Sequence, residues 1–178
     1  MPWPSHVLNS FSPVLEQDET EKESDYYAPY NTLLAYLFPP ADHFMVVIAY
    51  EDPSEPGTFV VRRYGHPVFF IQIQPPGHLN NCAKLVEADR EMRKEFKRLS
   101  PNLNIPTLHA LSAVGTKICL YTYNTESGTI TPEAIETETG SGEGKGVADR
   151  WDADVMEPEG EQRILAAVND VKKTIDRA

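Results

Sequence analysis

Two glutamines on one strand-like segment are the residues whose types and spacing come closest to forming a chemical site. Residues 67–76 read Pro-Val-Phe-Phe-Ile-Gln-Ile-Gln-Pro-Pro, and side chains alternate along an extended chain, so Gln72 and Gln74 share one face. Carboxamides combine donors and acceptors without charge, so this amide pair can bind a polar ligand in a remodelled pocket. The alternative is that the two amides form the polar face of a half-buried strand.

The most basic stretch of the sequence lies shortly after this strand. Arg90 and Lys94 are spaced so that a helix presents them together, and a phosphate backbone could dock there. Interspersed glutamates favour a solvated face of mixed charge instead. Asp89 and Arg93 stand four residues apart, which predicts a surface ion pair worth about 0.3–0.5 kcal/mol, with a functional role for Arg93 as the alternative.

Candidate nucleophiles are poorly supported by their spacing. His109 and Ser112 stand three residues apart in a strand-like segment, so they point to opposite faces and cannot form a hydrolase dyad. His109 is instead expected to make a structural hydrogen bond at the edge of the sheet. Cys82 and Cys119 have no CxxC spacing and no companion histidine at metal-ligand distances, which predicts two free thiols and no metal site.

Composition limits the classes of function. The chain has 178 residues, 40% of them hydrophobic, and a formal charge of -11, so it can bury one core and its overall field repels polyanions. Nucleic-acid binding would therefore need a local basic patch, which leaves a protein or a small molecule as the expected partner. The longest apolar stretch, 44–50, is too short to cross a bilayer and no secretory signal is evident, so we expect an intracellular protein, cytoplasmic or nuclear, without a membrane partner.

Periodicity and turn residues predict helices and strands in alternation. Residues 1–25 carry three prolines and an acidic run, so we expect an extended arm, followed by a single domain over 26–178. Apolar spacing predicts helices over 29–38 and 81–99 and a last helix whose buried face includes Ile164, Val168, Val171 and Ile175. Strands are predicted at 44–50, 58–64, 68–74, 108–114, 117–123 and 129–131, the first three as a meander. The predicted fold class is α/β, a central mixed sheet flanked by helices.

Several ordered motifs resemble a family of uncharacterised basidiomycete fungal proteins with PD-(D/E)XK, restriction-endonuclease-like character. They span roughly residues 26–175 and are Tyr30-Asn31-x-Leu33-Leu34, Pro67-Val68-Phe69-Phe70-Ile71 before Pro75-Pro76, Ala88-Asp89-x-x-Met92-Arg93-x-x-Phe96, Leu108-His109-x-x-Ser112-Ala113-x-Gly115-Thr116-x-x-Cys119-x-Tyr121, and Arg150-Trp151-Asp152-x-Asp154-Val155. The resemblance implies a restriction-endonuclease-like core and a strand that reads Glu-x-Lys-Pro-Pro in the family.

In such enzymes an Asp and the Glu hold Mg²⁺ while the Lys orients or activates the attacking water. The resemblance puts Gln72 at the Glu position and Gln74 at the Lys position, while residues 58–61 lack the expected Asp. We therefore expect a catalytically degenerate nuclease-like domain that binds or interacts, with no cofactor. One alternative is a Mg²⁺-dependent nuclease with relocated carboxylates, for which the candidates are Glu51, Asp52, Glu55 and Glu87. A second alternative is a fungal effector or defence protein.

Overall fold

A mixed sheet forms the centre of the molecule. The computed structural model describes residues 3–16, 22–49, 57–136 and 146–176. Within these residues seven strands are flanked by four α-helices, which confirms the α/β class. The strands are β1 (Phe44–Ala49), β2 (Gly57–Arg63), β3 (His66–Gln74), β4 (Thr107–Val114), β5 (Lys117–Asn124), β6 (Ile130–Thr131) and β7 (Ala153–Asp154), and the helices are α1 (Ser5–Glu16), α2 (Tyr27–Leu37), α3 (Cys82–Leu99) and α4 (Pro158–Ile175).

The strand order is β1-β2-β3-β4-β5-β6, and β7 also pairs with β5. The first three strands form the predicted antiparallel meander, and β4 and β5 form the predicted hairpin. Strands β3 and β4 are parallel, with Gln72 opposite Ser112, and α3 supplies the crossover that a parallel connection requires. The short strand β7 was not predicted, because two residues carry no alternation signal.

Helix α3 covers one face of the sheet. Its buried residues recur every three or four positions, as predicted, and the Phe96 ring packs edge-on against Phe70 of β3, with centroids 4.8 Å apart. The Asn81 side chain caps the helix by accepting a hydrogen bond from the Lys84 backbone N–H at 3.2 Å. Position 72 on β3 therefore faces the underside of a well-anchored helix.

The other face of the sheet is covered by α2 and α4, with α1 packed on α2. The Tyr27 ring contacts Phe59 of β2, and the Tyr30 hydroxyl donates to the Gly115 carbonyl at 2.8 Å. Gly160 in the first turn of α4 leaves no room for a side chain, because a Cβ there would lie 1.9 Å from the Asp154 carbonyl oxygen. Helices thus cover both faces of the sheet and bury the central strands.

The extended conformation predicted for residues 1–25 is wrong for Ser5–Glu16, which form α1. Val7, Phe11 and Val14 recur at helical spacing and are buried against the core. Pro13 inside the helix removes one backbone hydrogen bond, a loss of about 3 kcal/mol that the burial of these side chains offsets. Trp3 is buried as well and donates from Nε1 to the Val155 carbonyl at 2.7 Å. The prolines and the acidic run favoured an extended arm, so the helical spacing of these apolar residues was not recognised.

Candidate functional site

The amide pair lies beneath α3 and is not a polar face open to solvent. Gln72 and Gln74 are only 4% and 7% exposed, so the alternative that they form the polar face of a half-buried strand is wrong. Gln72 Nε2 reaches the Glu91 carbonyl of α3 at a long 3.4 Å. Among the described residues, no donor reaches the buried Gln72 Oε1. The amide is therefore packed against the helix backbone, and its carbonyl oxygen has no donor among the described residues.

A row of uncharged polar side chains crosses the sheet at this level. Thr58 on β2 is opposite Gln72, Gln72 is opposite Ser112 on β4, and Ser112 is opposite Cys119 on β5. All four are buried. Ser112 Oγ accepts a hydrogen bond from Trp151 Nε1 at 3.2 Å, and burial raises the pKa of the Cys119 thiol to about 12. The described part of this row holds no charged group at neutral pH.

The relocated carboxylates proposed for this site divide into two sets. Glu51, Asp52 and Glu55 lie outside the described residues. Glu87 is on α3 with its side chain 58% exposed, and it accepts a hydrogen bond from Lys84 Nζ at 2.8 Å. This ion pair lowers the pKa of Glu87. Glu87 is thus occupied at the surface of the helix, whereas the amides lie buried beneath it.

Asp89 is the best-connected charged residue of the described chain. Its carboxylate is 2% exposed and accepts from Arg93 Nε at 3.0 Å and Nη2 at 3.2 Å, and from Arg150 Nη1 at 3.2 Å. The Tyr121 hydroxyl and the Ile135 backbone N–H add hydrogen bonds of 2.9 and 3.1 Å. The surface ion pair predicted for Asp89 and Arg93 is wrong, because β5 and the chain around 132–136 cover the carboxylate.

We name Asp89, Arg93, Tyr121 and Arg150 the Asp89 cluster. Its residue types suit catalysis, but each polar group is engaged within the protein. Arg93 and Arg150 also donate to the carbonyls of Pro132 and Glu133, at 2.5 and 2.7 Å. Burial, followed by the nearby Cys119 and Asp89, raises the pKa of Tyr121 and keeps its hydroxyl protonated. The cluster therefore joins α3, β5 and two loops, and that geometry supports a structural role.

The basic candidates on α3 are separated from the amide pair. Arg90 and Lys94 are exposed, and Lys94 Nζ lies 3.9 Å from Glu91 Oε2. Gln72 and Gln74 are buried beneath the same helix. The structure thus does not bring the predicted binding residues into one site, and the mixed charge expected along the helix surface is present.

His109 and Ser112 occupy opposite faces of β4, as predicted. His109 Nε2 lies 2.8 Å from Asp170 Oδ2 of α4, whereas Ser112 bonds to Trp151 on the side of α3. The hydrogen bond predicted for His109 is present, but its predicted place at the edge of the sheet is wrong, because β4 is an inner strand.

The turn between β2 and β3 was missed as a candidate site. Tyr64 there is 70% exposed and lines two cavities of about 470 and 380 Å³. Arg63 lines the larger cavity and Arg62 the smaller. The sequence Arg-Arg-Tyr-Gly could have indicated a binding site at this turn. It was instead interpreted as the polar end of a predicted strand.

Within the described ranges, no three His, Cys, Asp or Glu side chains are grouped so that they could hold a metal ion. None of the helices in those ranges combines the length and the apolar character needed to cross a membrane. No protein-family model, no curated protein and no solved structure matches this chain.

Proposed function

We propose that this protein is a restriction-endonuclease-like α/β domain that has lost catalysis and acts by binding. The observation that carries the proposal is the burial of uncharged amides at positions 72 and 74 of the central strand. These positions correspond, by the resemblance, to the metal-binding Glu and the Lys of the PD-(D/E)XK strand. The mixed sheet flanked by helices is the architecture that the resemblance implies.

The chemistry of amides supports this proposal. A carboxamide oxygen can ligate a divalent ion, but it supplies no net charge to offset the ion or to lower the pKa of a bound water. Gln74 likewise cannot supply the cation that orients the attacking water. Thr58, opposite Gln72 in the register, is a hydroxyl residue on the strand that carries the Asp in the enzymes. All three charges needed for hydrolysis are replaced by neutral groups at these positions.

Purified protein incubated with plasmid DNA and with RNA, with and without Mg²⁺, tests the loss of catalysis. We expect no divalent-dependent breakdown, and no Mg²⁺ binding by isothermal titration calorimetry at millimolar ion. Cleavage that chelator abolishes, and that Gln72→Leu also abolishes, would refute the proposal. Glu126→Gln, an exposed change in the turn after β5, is purified in the same way and serves as the matched control.

A second candidate is a Mg²⁺-dependent nuclease that uses relocated carboxylates, and the register of β2 favours it. Strand β2 begins at Gly57, which pairs with Ile73 between the two glutamines, and Glu51, Asp52 and Glu55 come two to six positions earlier in the sequence. If this candidate is correct, the combined change Glu51→Gln, Asp52→Asn and Glu55→Gln removes a Mg²⁺-dependent activity that Glu87→Gln leaves intact.

The restriction-endonuclease-like core can be tested by reinstalling the charges. The triple variant Thr58→Asp, Gln72→Glu, Gln74→Lys places an acid on each of two adjacent strands at paired positions. We expect it to be less stable than the wild type without metal and to recover part of the loss with Mg²⁺, because a divalent ion offsets the buried acids. The single variant Gln72→Glu is the control and should not recover. Equal behaviour of the two variants would count against a nuclease-like geometry.

A further inference from the structure

The turn between β2 and β3 holds a tyrosine in a conformation that tyrosine rarely adopts. Arg63 pairs with His66, so Tyr64 and Gly65 form a two-residue turn, and their φ angles are 50° and 86°. Turns with both central φ angles positive favour Asn-Gly or Asp-Gly, since a bulky side chain is strained in the left-handed region. The chain keeps an exposed aromatic side chain where a smaller residue would fold more easily, which points to a use for that ring.

Arg63 beside this turn is held between aromatic rings, and its guanidinium makes one long hydrogen bond, to the Asp176 carboxylate. Its guanidinium carbon lies 5.5 Å from the centroid of the Phe44 ring and 5.4 Å from that of Tyr64. Its side chain is 19% exposed, and the Nη1 contact to Asp176 Oδ1 is a long 3.5 Å. Nε is fully buried and has no partner among the described residues. A guanidinium that is so poorly satisfied can accept an anionic group at little cost in existing bonds.

The cavity that Arg63 and Tyr64 line has the size and lining of a small-molecule site. Its volume is about 470 Å³, within the usual range of roughly 300–1,000 Å³ for ligand pockets. Val68, Ile105 and Ile175 form its apolar wall, and Asn104 contributes an amide. This turn cavity therefore combines one cation, one aromatic ring and an apolar wall.

Local charge around the turn cavity contrasts with the acidic molecule. Lys172 lies over the Phe38 ring at 6.0 Å, and that ring contacts Phe44, so a second cation adjoins the aromatic group that holds Arg63. Arg62 precedes Arg63 in β2. The exposed Asp176 is the acid that lines the cavity, at the end of α4, where the helix dipole disfavours a negative charge. Among the described residues that line the cavity, Asp176 is the carboxylate with which an entering anion competes.

We propose that the turn cavity binds a small organic anion, a carboxylate or phosphate ester carried on an aromatic or apolar body. The anionic group pairs with the Arg63 guanidinium and displaces Asp176, and the body packs between Tyr64 and the apolar wall. This inference rests on the proposed binding role and gives it a site and a ligand class. Its test needs no nuclease substrate, so cleavage of DNA would refute the proposed function and leave the binding result intact.

Titration of the full chain with three naphthalene probes tests the proposal. 1-Naphthoate and 1-naphthyl phosphate carry the anion, and 1-naphthamide is the neutral match of the same shape. We expect at least one anion to bind with a dissociation constant below about 1 mM, and the amide about tenfold more weakly, because a charge-assisted hydrogen bond is lost. The tighter of the two anions identifies the anionic group. Failure of both anions to bind, or equal binding of the amide, overturns the proposal.

Variants separate a binding role from a structural one. Arg63→Met should weaken anion binding about tenfold, whereas Lys22→Met, at an exposed residue ahead of α2, changes the net charge equally and should leave binding unchanged. Asp176→Asn removes the internal competitor, and since Asp176 is exposed the fold should persist, with binding about two- to fivefold tighter. Tyr64→Asn should weaken binding while the melting midpoint rises roughly 2–4 °C, because the turn strain is relieved. Equal losses in Arg63→Met and Lys22→Met, or weaker binding by Asp176→Asn, would overturn the proposal.

Discussion

Neutralising Asp89 should destabilise the fold more than neutralising any exposed acid on the same helix. In Asp89→Asn the side chain keeps its size, but one carboxylate that accepts five hydrogen bonds becomes an amide whose NH₂ faces donors. Arg93 and Arg150 are left with side chains only 18% and 22% exposed, so solvent cannot replace the lost charge. Removing one partner of a buried ion network costs about 3–5 kcal/mol, which for a chain of this size lowers the melting midpoint by roughly 6–20 °C.

Urea unfolding followed by tryptophan fluorescence measures this loss, since Trp3 and Trp151 are 3% and 2% exposed and report on packing at both ends of the chain. Glu87→Gln is the matched control, because Glu87 is also paired with a cation on α3 but is 58% exposed, and it should change stability by less than about 1 kcal/mol. An Asp89→Asn variant whose unfolding free energy lies within about 1 kcal/mol of the wild type would show that the buried cluster is not a major determinant of stability.

Three further measurements follow from the structure. Gln72→Met should raise the unfolding free energy by about 1 kcal/mol, because an apolar side chain of similar shape replaces a buried acceptor that has no partner. A loss of stability would mean that Gln72 Oε1 is satisfied in the wild type. Native protein at pH 8 should expose one thiol to Ellman's reagent, that of Cys82, since with a pKa of about 12 only about one Cys119 side chain in ten thousand is a thiolate, and urea should release the second. Phe11→Ala should cost about 3–5 kcal/mol if α1 is part of the core, whereas an undocked arm would tolerate the change.

Sequence patterns located most of the fold because its elements are long and periodic. Helix α3 carries a stripe from Leu85 to Leu99 that packing and propensity both support, and β3 lies between turn signals. The helix at Ser5–Glu16 was not predicted, because Pro13 and the acidic run are unfavourable signals for a helix. Tertiary packing of its apolar side chains stabilises the helix nonetheless. Local signals weigh most where no distant contact overrides them.

The sites were harder to predict than the elements. The amide pair was placed on one face correctly, but its burial depends on α3, which alternation within a strand cannot reveal. The five hydrogen bonds of Asp89 join residues up to 61 positions apart, so a pattern at i and i+4 sees only Arg93. The turn cavity could not be predicted because Tyr64, which lines it, has a positive φ angle, a conformation that tyrosine rarely adopts.

The contact between the Trp3 indole and the Val155 carbonyl dictates an order of events during synthesis. The two residues are 152 positions apart, so the Trp3 indole has no acceptor at this point until residue 155 has been synthesised. At about 5–20 residues per second this wait lasts roughly 8–30 s, whereas α2, whose Tyr30 ring contacts Phe11 of α1, is made far sooner. The Trp3 hydrogen bond therefore forms after α1 has packed on α2, and it fastens this early helical pair to a late part of the chain.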